Sequence, residues 1–466
     1  MEAFRQQFSF DSLSFRPSGF RSCHQTRHII LFLSTLCLSL LLSDCLVFNI
    51  LIICINEESV DLRTPNETEE ATVSNFTSAQ IGWLLSASGL GSLIGEFVVA
   101  KVLPLLGIRY LLTIFGVATA TATALTPIMT TLGFGALFVA RLVQSLPLAS
   151  TRFLIASVSS KWAPPKQKAT FLRVLYCSVH IAFLYSMPMS AFLSQTSVGW
   201  QTVYYVHAGC TFLAFGLFFG LFRNSPMDHK WMSRKELDLI QKNVPGDEKE
   251  PILLGSLVRT PAVWGILCSS FGAIVGTGYT MLLQYGPTYL TKVLDFDVRK
   301  TGICLATPHL LCLFLTLFMN SISYSIPALS PRTKTILFAL VSQGSLVISL
   351  LSVAFLSLPV GKFVFFITAI VSYPFFFAGP IRSAQMIEES FFTSCGFVLH
   401  SIVSVLLPGV VATYAPDHTQ EQWTSILVGV CVIVTFGTIL FVIVADDEQT
   451  TKFRRARSAV TPVRRL

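Results

Sequence analysis

The sequence predicts an all-α membrane protein with twelve transmembrane helices arranged in two six-helix bundles. Of its 466 residues, 52% are hydrophobic and only 12% are charged, whereas about a quarter of the residues of a soluble domain are charged. Twelve apolar runs of about 20 residues or more follow one another, and each is long enough to cross a hydrocarbon core of about 30 Å as a helix. The composition and the repeated runs together exclude a soluble globular fold.

The runs divide the chain into two halves of six. The first six cover 29–55, 80–103, 108–129, 133–159, 170–195 and 202–223, and the last six cover 262–291, 300–325, 333–358, 360–387, 390–415 and 424–445. The longest inner loop separates the halves, and its Ser233 and Glu236 form a capping-box pattern that predicts a short polar helix. We therefore expect five parts: a cytosolic N-terminal segment 1–28, an N-terminal bundle 29–223, a cytosolic connector 224–260, a C-terminal bundle 261–445 and a basic cytosolic tail 446–466.

The distribution of basic residues orients the helices. If the N-terminus is cytosolic, 25 of the 33 Lys and Arg residues fall in inner segments and 5 in outer loops. This asymmetry follows the positive-inside rule and predicts that both termini face the cytosol. The net charge of +8 is then mainly a topology signal, and the basic tail faces the anionic lipid of the bilayer. A nucleic acid is therefore not expected as a partner.

The acidic outer loop 56–78 contains two N-glycosylation sequons, at Asn66 and Asn75. Two sequons in the loop that the charge pattern places outside predict a glycoprotein. A glycosylated loop faces the extracellular space or the lumen of an organelle alike. The expected location is therefore the plasma membrane or an endolysosomal or vesicular membrane.

The sequence shows no pattern typical of an enzyme or a metalloprotein. The 11 cysteines are scattered through the chain without CxxC pairs or metal-ligand spacing. No phosphate-binding loop or nucleophilic triad is recognisable, and the soluble segments are too short for a nucleotide-binding domain. We expect neither enzymatic activity nor a metal or cofactor.

Several strings resemble those of one transporter family. They are KWAPP at Lys161–Pro165 after the fourth run, GWQTVYYV at Gly199–Val206 at the start of the sixth, and GPTYLTKVLDFD at Gly286–Asp297 at the end of the seventh. They are similar to the corresponding strings of the anion:cation symporters. This branch of the major facilitator superfamily includes vesicular glutamate transporters, sialin and sodium-phosphate cotransporters. The similarity runs from about Arg27 to Phe453.

This resemblance implies the major facilitator fold and secondary active transport of small organic or inorganic anions by alternating access. The implied partners are a small anionic solute and a co-transported ion, either sodium or a proton. In that fold the substrate site lies near the bilayer midplane between the two halves. Arg141 matches the arginine of the family's fourth helix, whereas Leu148 stands where the family carries a glutamate implicated in proton coupling. A non-transporting receptor-like or chaperoning relative that kept the fold and lost ion coupling is therefore the alternative.

Ionisable residues inside apolar runs are the main candidates for function, because each costs about 2.5–3.5 kcal/mol on insertion scales. Arg141 is the predicted substrate-binding cation, and the alternative is an arginine buried for helix pairing. Asp44 lies at a comparable depth in the first run and is its predicted ion-pair partner when the site is empty. Arg152 is predicted to snorkel to inner headgroups, and Glu96 to pair with Arg152 or another inner basic group.

Tyrosine and histidine side chains complete the set of candidates. Three tyrosines are predicted to supply hydroxyls to a cavity that binds an anion, with aromatic packing as the alternative for each: Tyr279, Tyr285 and Tyr373. Hydrogen-bonded packing is likewise the alternative for three histidines in apolar runs. These histidines are His180, His309 and His400, and they are predicted to take part in proton coupling or ion pairing.

Overall fold

The computed structural model describes residues 25–61, 76–241, 257, 259–276, 281–324 and 329–444 of the chain. Every regular element in these residues is helical. The predicted glycosylation sites Asn66 and Asn75 and the predicted cavity residue Tyr279 lie outside the described residues. The side of the membrane that holds the connector between the halves is called inner below, and the opposite side is called outer.

The N-terminal half contains seven described helices. They are α1 (Thr26–Asp61), α2 (Ser78–Thr131), α3 (Phe134–Ser145), α4 (Thr151–Lys161), α5 (Lys168–Tyr176), α6 (Ser178–Leu193) and α7 (Gly199–Leu221). A 3-10 turn, Leu146–Ser150, joins α3 to α4, and the three elements form a single membrane crossing. Helices α5 and α6 form the next crossing.

Helix α2 crosses the membrane twice. As one straight helix its 54 residues would be about 81 Å long, which is far more than a hydrocarbon core of about 30 Å requires. Gly107 interrupts the helix with φ 71° and ψ 168°, a conformation that favours glycine because it has no Cβ. The eleven long apolar helices found in the described part of the chain therefore make twelve crossings. The predicted fold class is confirmed.

The connector contributes the short helix α8 (Arg234–Gln241), and nine described helices follow it. They are α9 (Pro261–Gly276), α10 (Met281–Lys292), α11 (Val298–Tyr324), α12 (Pro331–Ala339), α13 (Ser345–Phe355), α14 (Pro359–Val371), α15 (Tyr373–Ala378), α16 (Pro380–Tyr414) and α17 (Gln420–Val444). One crossing contains α9 and α10, another contains α12 and α13 with a π-helical turn at Leu340–Gly344, and a third contains α14 and α15. Six crossings thus form the second half.

The two halves share one hydrophobic core on the outer side and keep separate cores on the inner side. The outer core joins residues 46–55 of α1 to buried residues of α10 within 281–290. On the inner side, one core around Trp162 belongs to the N-terminal half, and another around Phe441 belongs to the C-terminal half. The halves are therefore closed against each other on the outer side.

Two pairs of helices make the most extensive contacts between the halves: α2 packs against α16, and α6 packs against α11. Between α2 and α16, the hydroxyls of Ser92 and Ser401 share a hydrogen bond of 3.0 Å. Nearby, the Ser86 hydroxyl donates to the Val405 carbonyl at 2.9 Å. A Cβ on Gly89 would lie 2.7 Å from the Ser401 carbonyl oxygen, so the absence of a side chain allows this close approach. The two pairs border the space between the halves.

The inner loop with the KWAPP string packs against the end of α7. Trp162 is fully buried, and its ring lies 6.2 Å from that of Phe222 and edge-on at 5.7 Å from that of His229. Burial holds the pKa of His229 below its usual range, which favours a neutral imidazole in this contact. The loop is therefore part of the inner core and not a free surface turn.

Helix α8 caps the first transmembrane helix. The Glu236 backbone N–H donates to the Ser233 hydroxyl at 3.2 Å, as the capping-box pattern predicts. The Glu236 carboxylate accepts hydrogen bonds from the backbone N–H groups of Thr26 at 3.3 Å and Arg27 at 3.0 Å. These are N-terminal N–H groups of α1, which have no partner within their own helix. The connector thereby holds the start of α1 in place.

Candidate substrate cavity

A cavity of about 260 Å³ lies between the two halves. Helices α1, α2, α4, α5 and α6 and the 3-10 turn before α4 line it from the N-terminal half, and α9, α11, α15 and α16 line it from the C-terminal half. In the part of the chain that the structure describes, no Asp, Glu, Lys or Arg belongs to the lining. Hydroxyl and imidazole groups supply its main hydrogen-bonding capacity, among them Ser92, Ser178, His180, Thr316, Tyr373 and His400.

Leu148 forms part of the cavity wall. It belongs to the 3-10 turn Leu146–Ser150, where Pro147 lacks the backbone N–H that a continuous α-helix would use. The position at which the resembling family carries a glutamate thus faces the space between the halves. This chain places an apolar side chain there, which neither binds nor releases a proton.

Arg141 is buried inside the N-terminal half and is only 1% exposed. Its Nη1 donates to the Cys45 carbonyl oxygen and to Gln144 Oε1, both at 3.0 Å. The guanidinium lies over the ring of Phe48, 4.4 Å from the centroid. Among the described residues, no carboxylate lies within 4.0 Å of this guanidinium. Neutral groups alone therefore solvate the cation.

The predicted ion pair between Arg141 and Asp44 is wrong. Asp44 is fully buried, but its Oδ2 accepts a hydrogen bond from the Thr211 hydroxyl of α7 at 2.9 Å. Its Oδ1 lies 3.8 Å from Nδ1 of His207. Successive residues of a helix point about 100° apart, so Cys45 meets the arginine while Asp44 faces α7. Equal depth in the membrane did not determine the direction of either side chain.

The predicted pair of Glu96 with Arg152 is confirmed, and the prediction that Arg152 snorkels to headgroups is wrong. Arg152 Nη2 donates to Glu96 Oε2, and its Nη1 donates to the Ser394 hydroxyl of α16. The side chains of Arg152 and Glu96 are only 14% and 8% exposed. The sequence neighbours Thr151 and Thr393 line the cavity. Arg152 therefore bridges the two halves at the edge of the cavity.

Two of the predicted histidines meet across the halves. His180 Nδ1 of α6 lies 3.2 Å from His309 Nδ1 of α11. His180 Nε2 lies 3.2 Å from the Thr316 hydroxyl, also on α11. The His309 ring stacks on Phe183 with a centroid distance of 4.1 Å. His400 lies on α16 in another part of the cavity wall, so the structure brings together only two of the three.

The two described tyrosine candidates lie in different places. Tyr373 lines the central cavity. Tyr285 lines a second pocket of about 570 Å³ at the outer end of the molecule, together with Lys292 and His418. The outer core separates this pocket from the central cavity. The hydroxyls of Tyr373 and Tyr285 therefore do not meet in one site in this conformation.

Three further residues contact the predicted ones without having been predicted themselves: Gln144, His207 and Ser394. Gln144 follows Arg141 by three residues, a spacing that places two side chains on one helix face. His207 is an ionisable residue within an apolar run, which is itself a signal of function. Ser394 carries no such signal, because its contact with Arg152 joins residues 242 positions apart.

Comparisons with known sequences agree with this architecture. The profile of the Major Facilitator Superfamily matches residues 32–437. The chain is 24% identical over 382 residues to sialin of Homo sapiens, which covers 79% of this chain and 75% of sialin. It is 22% identical over 354 residues to the vesicular glutamate transporter 2.2 of Danio rerio, which covers 72% of this chain and 60% of that protein. The resemblance to the anion:cation symporter branch is confirmed.

A solved transporter structure has the same fold. It is a bacterial homologue of the human lysosomal transporter Spinster in an inward-facing and unoccupied conformation. The TM-score is 0.65 at 15% sequence identity, over 92% of this chain and 98% of that chain. The two six-helix halves, the cavity between them and the profile match lead to one conclusion. The chain belongs to the Major Facilitator Superfamily of secondary active transporters, which work by alternating access.

Proposed function

We propose that this transporter carries a small organic or inorganic anion across the bilayer through the central cavity. The observation that carries the proposal is the guanidinium of Arg141, which is buried and whose two hydrogen bonds go to uncharged acceptors. A cation without a carboxylate in a low-dielectric region attracts an anion in the adjoining space. One of the relatives in sequence is a vesicular glutamate transporter, which supports a carboxylate as the class of solute.

The position of Arg141 relative to the cavity supports this role. Arg141 precedes Leu148 by seven residues, which is about two helical turns, so both lie near the same face of their crossing. At 1.5 Å per residue, Arg141 lies about 10 Å farther toward the outer side. Leu148 lines the cavity, and the ring of Phe48 covers the guanidinium. We expect an anion to reach Arg141 when the outer end of α1 moves away from the C-terminal half.

The volume of the cavity limits the size of the solute. Pockets for drug-sized ligands span about 300–1,000 Å³, and this cavity measures about 260 Å³. Thr316, Tyr373 and His400 line the cavity, and hydroxyl and imidazole groups are of the kind that donate hydrogen bonds to carboxylate or phosphate oxygens. A small carboxylate or an inorganic anion fits this combination of volume and donors.

The coupling ion in this proposal is sodium or a proton. Leu148 cannot titrate, so a coupling proton does not bind at the position in the fourth membrane crossing that the family uses. We also propose that both termini are cytosolic, because 25 of the 33 basic residues then lie on the inner side. The sequons in the outer loop support a plasma-membrane, endolysosomal or vesicular location.

A non-transporting receptor-like or chaperoning protein is the second candidate function. Leu148 favours it, because the cavity lining lacks the acidic group that the family uses for coupling. The buried charge of Arg141 favours transport, since such a charge is costly in a membrane and no carboxylate of the described residues lies within 4.0 Å of it. The two candidates differ in whether any solute crosses the bilayer.

The test is uptake of a panel of labelled carboxylates and inorganic anions by proteoliposomes under a pH gradient, a sodium gradient or a membrane potential. Arg141→Lys keeps the charge and loses the planar fork that binds two oxygens, so uptake should fall by about tenfold or more, equivalent to about 1.4 kcal/mol. Arg109→Lys is the matched control, because Arg109 donates to the Phe219 carbonyl at the inner turn of α2. Unchanged uptake by Arg141→Ala at normal membrane level would refute the anion site. Absence of uptake under every gradient would favour the receptor-like candidate.

A further inference from the structure

We infer that His180 and His309 together form the binding site of a coupling proton at the contact between the two halves. The inference rests on the proposed transport function and deepens it, because it assigns the coupling ion and its site. The two imidazoles come from opposite halves and face each other, Nδ1 to Nδ1, at 3.2 Å. Both residues are buried, with 3% of the surface of each exposed, and they lie where α6 packs against α11.

The geometry limits how many protons the closed contact holds. A neutral imidazole carries one N–H, so one Nδ1 donates and the other accepts. One added proton is accommodated, because His180 Nε2 then donates to the Thr316 hydroxyl at 3.2 Å and the Nδ1 contact becomes a charge-assisted hydrogen bond. A second added proton would place an N–H on both Nδ1 atoms, which would face each other without an acceptor. The closed contact therefore binds at most one added proton.

This limit couples proton binding to the movement of the halves. Two separated imidazoles bind two added protons, whereas the closed pair binds at most one. The state that binds more protons is favoured as the pH falls, so acid favours the separation of α6 from α11. An isolated imidazole titrates near pH 6.5, so the population of the separated state should rise as the pH falls below about 6.5. The protons come from water in the cavity, which His180 lines, and return to water when the contact closes.

The ionisable groups near the pair are engaged in other contacts, so the added protons are assigned to the two histidines. In the described part of the chain, no carboxylate lies within 4.0 Å of either imidazole. The titratable groups on the helices packed against α6 and α11 have other contacts: Asp44 with Thr211, His207 with Asp44, Tyr185 with His207, Arg173 with the Leu317 carbonyl, Cys312 with the Ile370 carbonyl, Tyr289 with Gln420, and Tyr176 and Tyr373 with Phe377.

The contact between α6 and α11 is built to open from its inner end. At the outer end, a Cβ on Gly302 would lie 2.3 Å from the Ala191 Cβ and 2.7 Å from the Met187 carbonyl oxygen, so the two backbones meet there. The histidine pair follows farther in. At the inner end, Arg173 Nη1 donates to the Leu317 carbonyl at 2.8 Å. An opening at the inner end therefore breaks the Arg173 bond and separates the histidines, with Gly302 as the pivot.

The experiment measures the opening without any anion. Spin labels at Lys166→Cys and Thr333→Cys, two exposed inner positions, report the distance between the halves in proteoliposomes from pH 4.5 to 8. Five natural cysteines are first replaced by serine, because Cys23 is outside the described residues and the other four are only partly buried: Cys210, Cys268, Cys304 and Cys395. The ratio of long to short distances should rise as the pH falls, by up to about tenfold per pH unit for one proton.

Variants of the pair should remove this dependence. His309→Phe keeps an aromatic ring against Phe183 but cannot titrate, and the ratio should then change less than about twofold across the range. His180→Asn is the second variant, in case the first does not fold. His28→Phe is the control, because His28 lies on α1 against Phe171 and its replacement should leave the dependence intact.

The outcomes separate this inference from the proposed function. A pH response that persists in both His309→Phe and His180→Asn would overturn the proton site, and so would a wild-type distance that does not change with pH. If the wild type takes up an anion while the distance stays constant with pH, the proton site alone is wrong. If the distance follows pH through the two histidines and no anion is taken up, the proton site stands and anion transport is wrong.

Discussion

The bridge formed by Glu96, Arg152 and Ser394 gives a prediction whose size follows from the structure. Glu96→Gln keeps an acceptor but removes the carboxylate that pairs with the Arg152 guanidinium. Two unit charges 4 Å apart attract each other by about 4 kcal/mol at an effective dielectric constant of 20. Desolvation offsets part of this, because the two side chains are only 14% and 8% exposed. We expect a coupling energy of about 1–3 kcal/mol between the two residues.

The assay is a double-mutant cycle of Glu96→Gln, Arg152→Gln and the double variant. The free energy of unfolding of each protein is measured by reversible denaturation in mixed micelles. The pair Lys300 and Asp297 is the matched control, since its side chains are 70% and 58% exposed and water screens their charges. Its cycle should show no measurable coupling.

Glu96→Gln should also weaken the contact between the halves. Without the carboxylate, Arg152 is no longer held in the orientation from which it donates to Ser394. The backbone amides in the inner part of the first crossing of α2 and at the inner end of α16 should then exchange hydrogen faster than in the wild type. A coupling energy no larger than that of the control pair, together with unchanged exchange, would refute the role of this bridge.

Three further predictions concern the cavity, the glycans and the topology. Leu148→Glu adds a titratable carboxylate to the cavity wall, so uptake by proteoliposomes should depend more steeply on the pH gradient than in the wild type; an unchanged response to the gradient would contradict this. Asn66→Gln and Asn75→Gln should each increase electrophoretic mobility, and glycosidase should remove the difference; identical mobility before treatment would count against glycosylation. Tags at either terminus should bind antibody only after permeabilisation, and labelling of either tag in intact cells would overturn the predicted orientation.

The sequence by itself determined the fold class of this protein. In a bilayer, the backbone must satisfy its hydrogen bonds internally, so an apolar run that is long enough crosses the membrane as an α-helix. Run length and the long connector therefore predicted two halves of six crossings. Some side-chain contacts could also be predicted from the sequence, among them the ion pair between Glu96 and Arg152 on two different crossings. Even Gln144 was accessible from its spacing to Arg141.

Only the tertiary structure decided which buried groups meet. Depth in the membrane can be counted along a helix, but the rotation of each helix about its axis follows from the packing of all its neighbours. Arg141 and Asp44 lie at similar depth and still face different helices. His180 and His309 are 129 positions apart, and their contact exists because α6 and α11 pack closely at Gly302. Such a contact depends on the approach of two backbones, which no local pattern of the sequence encodes.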